Sequence, residues 1–222
     1  MAGSSDYKVV SDIPDQLLAT YLAAKEIAID TELQGLRLGR DRVCLVQLCD
    51  RAKNVCLVRP ASQEPPANLK KLLTHKATVK VFHFALCDVA FFRQSMGITV
   101  TPFRCTKVMS KLVRTYTETH SLRSLVSELM GLELDKQNQQ SDWQSDKLSQ
   151  SQLRYAANDV LHLLPIYDTL AERLEQRGVL PSGISAHDLN ANAQAVLPAL
   201  VDLIISGYGD QDDGWQTSVF TH

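Results

Sequence analysis

The chain has 222 residues, 45% of them apolar, which is enough to bury one sizeable core, so one domain over residues 1–222 is the default expectation. The 23 Lys and Arg nearly balance the 25 Asp and Glu, for a formal net charge of −2. That argues against a strongly basic protein holding long nucleic acid by charge alone, and leaves room for a small anionic ligand at a local site. The five cysteines (Cys44, Cys49, Cys56, Cys87, Cys105) are odd in number and form no CxxC pair. Most lie in apolar runs, which favours a reducing cytoplasm over a disulfide framework or a zinc site. Residues 1–15 lack the apolar stretch of a signal peptide, and no apolar run approaches the roughly 20 residues of a membrane span.

Residues 25–32 (Lys-Glu-Ile-Ala-Ile-Asp-Thr-Glu) read as a short strand that ends in acids. Asp30 and Glu32 are two apart, so on extended backbone both point to one face. Gly35 permits a tight turn. Residues 42–50 and 54–58 are apolar, β-branched runs split by a polar break, a hairpin partnering the first strand. Residues 68–75 suit a short helix after Pro65 and Pro66.

Residues 79–84 form another expected strand, and helical patterning then runs over 89–96 up to Gly97. Asp88 therefore falls near a strand-to-helix junction, at a sheet edge where α/β proteins build their sites. Two more helices are expected over 105–114 and 121–130, the second stopped by Gly131. Residues 135–143 are too polar for the core and predict a loop beside the site. The longest pattern covers 149–177. It opens with Ser149 and Gln152 in a capping box, carries a stripe of Leu153, Ala156, Ala157, Val160, Leu161 and Leu164, and is kinked by Pro165. Tyr155 and Asp159 lie beside that stripe, four apart and pointing the same way. A last helix over 186–206 is followed by a polar tail. Strands early and helices late predict an α/β fold, a mixed β-sheet flanked by α-helices, with the sheet order undetermined.

Asp30, Glu32, Asp88 and Asp159 are the candidates for convergence. Carboxylates gathered closely raise one another's pKa unless cations neutralise them. Hard oxygen ligands select Mg2+ or Mn2+ over zinc. Two such ions roughly 3.5 to 4 Å apart can bind the attacking and leaving oxygens of a phosphodiester displacement. Tyr155 would orient the attacking water. Any one of these acids alone more often caps a strand or helix.

Asp30-Thr31-Glu32, Asp88 after His83-Phe84, and Tyr155-Ala156-Ala157-Asn158-Asp159 resemble the three motifs of the DEDD 3′–5′ exonucleases, in the subclass with tyrosine in the third motif. Ser141-Asp142-Trp143 just before the third motif is similar to ribonuclease D. The run from Cys105, the Lys136 to Trp143 segment and the Gly214-Trp215 tail narrow the likeness to the nano-RNase C group. The resemblance implies a ribonuclease H-like, DnaQ-type fold. It also implies a 3′–5′ exoribonuclease that cleaves dinucleotides to mononucleotides with two divalent ions. A ring-like octamer built from dimers is implied as well, with the C-terminal helix and tail (about 184–222) available for assembly. Leu36 corresponds to a leucine that wedges between terminal bases, against an ordinary core leucine. His83 either reaches a phosphate or bonds within the sheet. Arg114, Lys136 and Gln140 are candidates for a terminal phosphate. Tyr116 and Trp143 are either near the site or in the core. A broader RNA or DNA trimming exonuclease and a silent nucleic-acid-binding module are the competing readings; the second should have lost a metal ligand, and all are present.

Overall fold

The computed structural model describes residues 6–61, 64–134 and 141–207. Its six strands are β1 (Val9–Val10), β2 (Glu26–Leu33), β3 (Val43–Cys49), β4 (Val55–Val58), β5 (Val79–Phe82) and β6 (Phe103–Cys105). They form one sheet in the order β1-β4-β3-β2-β5-β6. β2, β3 and β4 are an antiparallel meander, whereas β5 adds parallel to β2, β6 parallel to β5 and β1 parallel to β4. The sheet is thus mixed, as the sequence predicts. The hairpin partnering the first acidic strand is β3 and β4.

Helices cover both faces. On one side α1 (Asp15–Ala23), α2 (Ala67–Leu73), α3 (Ala85–Met96) and part of α8 (Ala186–Ile205) share a core with β2, β3 and β5 through Tyr21, Leu69, Phe82, Phe91, Phe92 and Leu197. Phe82 meets Phe92 and Phe103 edge to face, with ring centroids 6.4 Å apart in each pair. On the other side α6 (Gln150–Leu161) and α7 (Leu163–Arg177) lie over Ala28, Leu45, Cys49, Leu57 and Val81. α4 (Thr106–Val113) and α5 (Leu122–Met130) build a satellite core with α7 around Met109, Leu125 and Leu170.

The structure adds short elements to the sequence reading and divides one long one. β1, β6 and α1 carry no pattern long enough to register, and pairing with a neighbouring strand or packing on the core defines them instead. Lys80 stands inside β5, fully buried, where its ammonium donates to the carbonyls of His75 (2.8 Å), Thr78 (2.8 Å) and Thr101 (2.6 Å). Lastly, the long C-terminal pattern is two helices, parted at His162 rather than kinked at Pro165. Proline lacks an N–H and its ring excludes the carbonyl four residues back, here that of Leu161. The break therefore falls before the proline, which sits in the first turn of α7.

α6 starts as its sequence specifies. Ser149 accepts from the Gln152 amide at 3.2 Å while the Gln152 side chain accepts from the Ser149 amide at 2.9 Å. Leu153, Ala156, Ala157 and Val160 are buried against the sheet, and the two alanines let the helix lie close to it. Ser149→Ala should destabilise the protein by about 1 kcal/mol and Ser149→Asp by much less, in urea unfolding followed by circular dichroism.

Candidate active site

The pleat of β2 decides which side chains meet. Ala28 is buried on the α6 face with Val160 and Leu164, and the period of two puts Asp30 and Glu32 on that same face. One turn of α6 separates Tyr155 from Asp159 and brings both toward β2. One carboxylate oxygen from each of Asp30, Glu32 and Asp159 lies within 4.8 Å of the others. Tyr155 and Asp159 lie near enough for each to shift the other's titration.

Asp88 comes from the opposite layer. Phe84 adopts a left-handed conformation (φ 70°) between β5 and α3, and this turn starts the helix whose first turn holds Asp88. Thr31, between the two acids of β2, faces the other way and donates its hydroxyl to Asp88 Oδ1 at 2.5 Å. Thr31 was legible as part of the motif, but its work as the hinge between the two layers was not. The clue is its parity: a residue between two site acids on a strand must face the far helix.

All four acids are held above the ordinary carboxylate range. Burial pushes Asp30 up to about 7. Burial also raises Glu32, with the Asp30, Asp159 and Asp88 charges adding to it. Asp88 and Asp159 rise through burial first and the neighbouring Asp30 second. Burial and the surrounding carboxylates likewise raise the Tyr155 phenol, which stays neutral. Arg123 of α5, which sequence reasoning did not single out, lowers Asp159 in partial opposition. Four carboxylates gathered this closely, with Arg123 offsetting Asp159 among the described residues, repel one another and suit a divalent cation. The donors are all carboxylate oxygens, with no His or Cys among the clustered ligands, which fits a hard cation.

The remaining expected residues divide. Leu36 is 62% exposed after Gly35, so it is no core leucine. Gly35 serves by close approach rather than by a tight turn: a Cβ there would stand 2.3 Å from Asp41 Oδ2, the carboxylate that ties the loop by accepting from the Arg37 amide at 2.9 Å. His83 pairs through Nδ1 with the Thr106 hydroxyl at 2.9 Å, and burial, then Lys107, push it down to about 3. The bond to Thr106 is of the kind expected if His83 bonds within the fold. Arg114 needs correction. Its side chain is 1% exposed and its guanidinium donates to Glu128 (3.1 Å from Nε), Ser110 Oγ (3.1 Å) and the Thr119 carbonyl (2.7 Å), so it clamps α4 to α5 instead of facing a phosphate. Tyr116 is exposed and bonded to Glu128. Trp143 is buried against the sheet and lies 6.2 Å from the Tyr155 ring, so the loop expected over 135–143 ends in a core residue. Lys136, Gln140 and the Gly214-Trp215 tail lie outside the described residues. Among the described residues, no helix is long and apolar enough to cross a membrane.

A family model described as a 3′–5′ exonuclease matches residues 10–175. Ribonuclease D of Granulibacter bethesdensis is 35% identical over 154 residues, 69% of this chain and 39% of that protein. The chain thus spans about two fifths of the length of such curated relatives. Among solved structures, Brucella melitensis NrnC is 35% identical with a TM-score of 0.83, covering 96% of this chain and 97% of that one. It has also been solved with bound Mg2+ and bound to pGG. Escherichia coli RNase D is 27% identical with a TM-score of 0.71, covering 87% of this chain and 51% of that one. With the acids of β2, α3 and α6 gathered on a mixed sheet of the ribonuclease H-like exonuclease type, the chain belongs to the 3′–5′ exonuclease family, in its ribonuclease D-like group.

Proposed function

We propose that the protein is a 3′–5′ exoribonuclease that hydrolyses short RNA, dinucleotides above all, to nucleoside 5′-monophosphates. The observation that carries this reading is the packing of Asp30, Glu32 and Asp159 within 4.8 Å beside Tyr155. In this reading Asp30, Glu32, Asp88 and Asp159 hold two divalent ions, Mg2+ or Mn2+, which when bound supply Lewis acidity to the phosphate and the departing 3′ oxygen. Tyr155 acts as a neutral phenol. With its proton turned toward the neighbouring Asp159, its phenolic oxygen would accept from the attacking water and fix its line of approach. Leu36, exposed beyond the acidic strand, offers an apolar face on which a base can stack without being read. Near-neutral overall charge suits a ligand with few phosphates. The likeness to NrnC over 96% of the chain, and that protein's complex with pGG, support the short substrate.

Incubation with 5′-labelled RNAs of two to seven nucleotides should show rapid loss of the dimer while longer oligomers persist. Even stepwise trimming of every length would instead favour a broader trimming exonuclease. Asp159→Asn should reduce the rate at least about 100-fold, since even partners of a ligand cost 10–100-fold, while leaving the circular dichroism unchanged. Full activity in that variant would remove Asp159 from the centre.

The acids also set a pH dependence. Asp30 titrates near 7 in the fold against 3.8 when free, so the fold favours its protonated form. The resulting penalty is absent below about 4 and complete above about 7. In chelator, Asp30→Asn should therefore gain Tm over the wild type as pH rises from 4 to 7, and a gap that is flat or shrinks would contradict the assignment. Added Mg2+ should close the gap by stabilising only the wild type.

Assembly into a ring-like octamer built from dimers is part of the same reading. Val196 and Leu203 on α8, 46% and 38% exposed, supply apolar surface for it. Light scattering should then report a mass near eight times the 24.7 kDa of the chain, and a monomer would exclude a ring as the basis of length selection.

A further inference from the structure

β3 reads Val-Cys-Leu-Val-Gln-Leu-Cys, and Gln47 is its one polar residue. It is fully buried, yet neither Nε2 nor Oε1 has a hydrogen-bond partner. A buried carboxamide left unpaired costs stability that a methionine of similar volume would not. The position of Gln47 suggests what the amide is for. In the β2–β3 ladder it stands directly opposite Asp30, and opposed residues of an antiparallel pair project to the same face. Its other sheet neighbours on that face are Leu45, Cys49 and, across β4, Leu57, all apolar. Ala156 of α6 packs in the same cluster as Leu45 and Leu57. Asp30 is thus the polar side chain directly opposite Gln47, and Glu32, opposite Leu45, is its acidic diagonal neighbour on the same face. Trp143 Nε1 is likewise buried without a partner, and its indole belongs to the cluster containing Leu45 and Leu57, which flank Gln47. An acceptor and a donor are therefore left over in the same layer.

We propose that Gln47 is a positioning residue for the acidic centre, its Nε2 donating to the Asp30 carboxylate when a divalent cation draws the acids together. The amide then fixes the Asp30 rotamer, and Oε1 is turned toward the indole side of the layer. Gln47 touches neither substrate nor cation. It acts through Asp30, as outer partners of metal-bound carboxylates do. The inference rests on the reading that these carboxylates hold cations.

The test is a Mn2+ titration of the intact protein by calorimetry, comparing wild type with Gln47→Met and Gln47→Leu. Gln47→Met should keep or raise the Tm in chelator, because an unpaired amide is gone, yet weaken Mn2+ binding by about 10–100-fold. The cation concentration for half-maximal hydrolysis should shift by the same factor, with the rate at saturating cation within a few-fold of wild type. Wild-type affinity in folded variants overturns the inference while leaving the proposed function intact. Failure of both variants to fold also overturns it, since Gln47 is then a packing residue. A wild type that binds no Mn2+ overturns the functional reading and this inference together.

Discussion

Carboxylates crowded at a partly buried site are the constraint around which the rest of the structure is arranged. Asp30, Glu32 and Asp159 would separate if they could, because each raises the cost of ionising the next. They are held by elements that cannot move independently. Asp30 and Glu32 are locked by the pleat of β2, which is paired on one side with β3 and on the other with β5. Asp159 is locked by α6, whose apolar stripe is buried on the same sheet. The core thus does electrostatic work: burial of Leu153, Ala156, Ala157 and Val160 offsets the repulsion that their neighbours generate. Tertiary packing, not local preference, makes the cluster.

The two faces of the sheet have different tasks. The α3 side is the larger apolar core and carries one acid, Asp88, brought to the edge by a left-handed residue and held by the Thr31 hydroxyl. The α6 side carries the rest. Thr31 joins the two layers because a strand alternates, and Asp-Thr-Glu in one strand therefore addresses both faces at once. The short motif is an acid pair with a tether between its members.

Much of this was legible because it depends on local spacing. Period two in residues 25–32 and four-residue spacing in Tyr155 and Asp159 give face and direction without knowledge of the partner. The capping box at Ser149 located the start of α6 to the residue. What escaped depends on who the neighbour is. β1 and β6 are two and three residues long and exist only because a strand beside them offers hydrogen bonds. Arg114 looks like any surface arginine until Glu128, Ser110 and Thr119 close around it. Trp143 follows a polar run, and its burial is set by the gap above Leu45 and Leu57 rather than by its own surroundings in sequence.

Gln47 shows where the two kinds of information meet. In sequence it is one polar residue in an apolar strand, and a glutamine there can bond to backbone, to water or to nothing. The ladder narrows that choice by placing Asp30 opposite it. Burial narrows it again, because a carboxamide without water must find a protein partner or stay costly. A donor beside Asp30 gains little from a neutral acid. Its value rises when the carboxylate is ionised, since a hydrogen bond to a charged oxygen is roughly twice as strong as one to a neutral oxygen. A group that is unsatisfied in one state and well placed for the other is what preorganisation toward a cation-loaded centre requires.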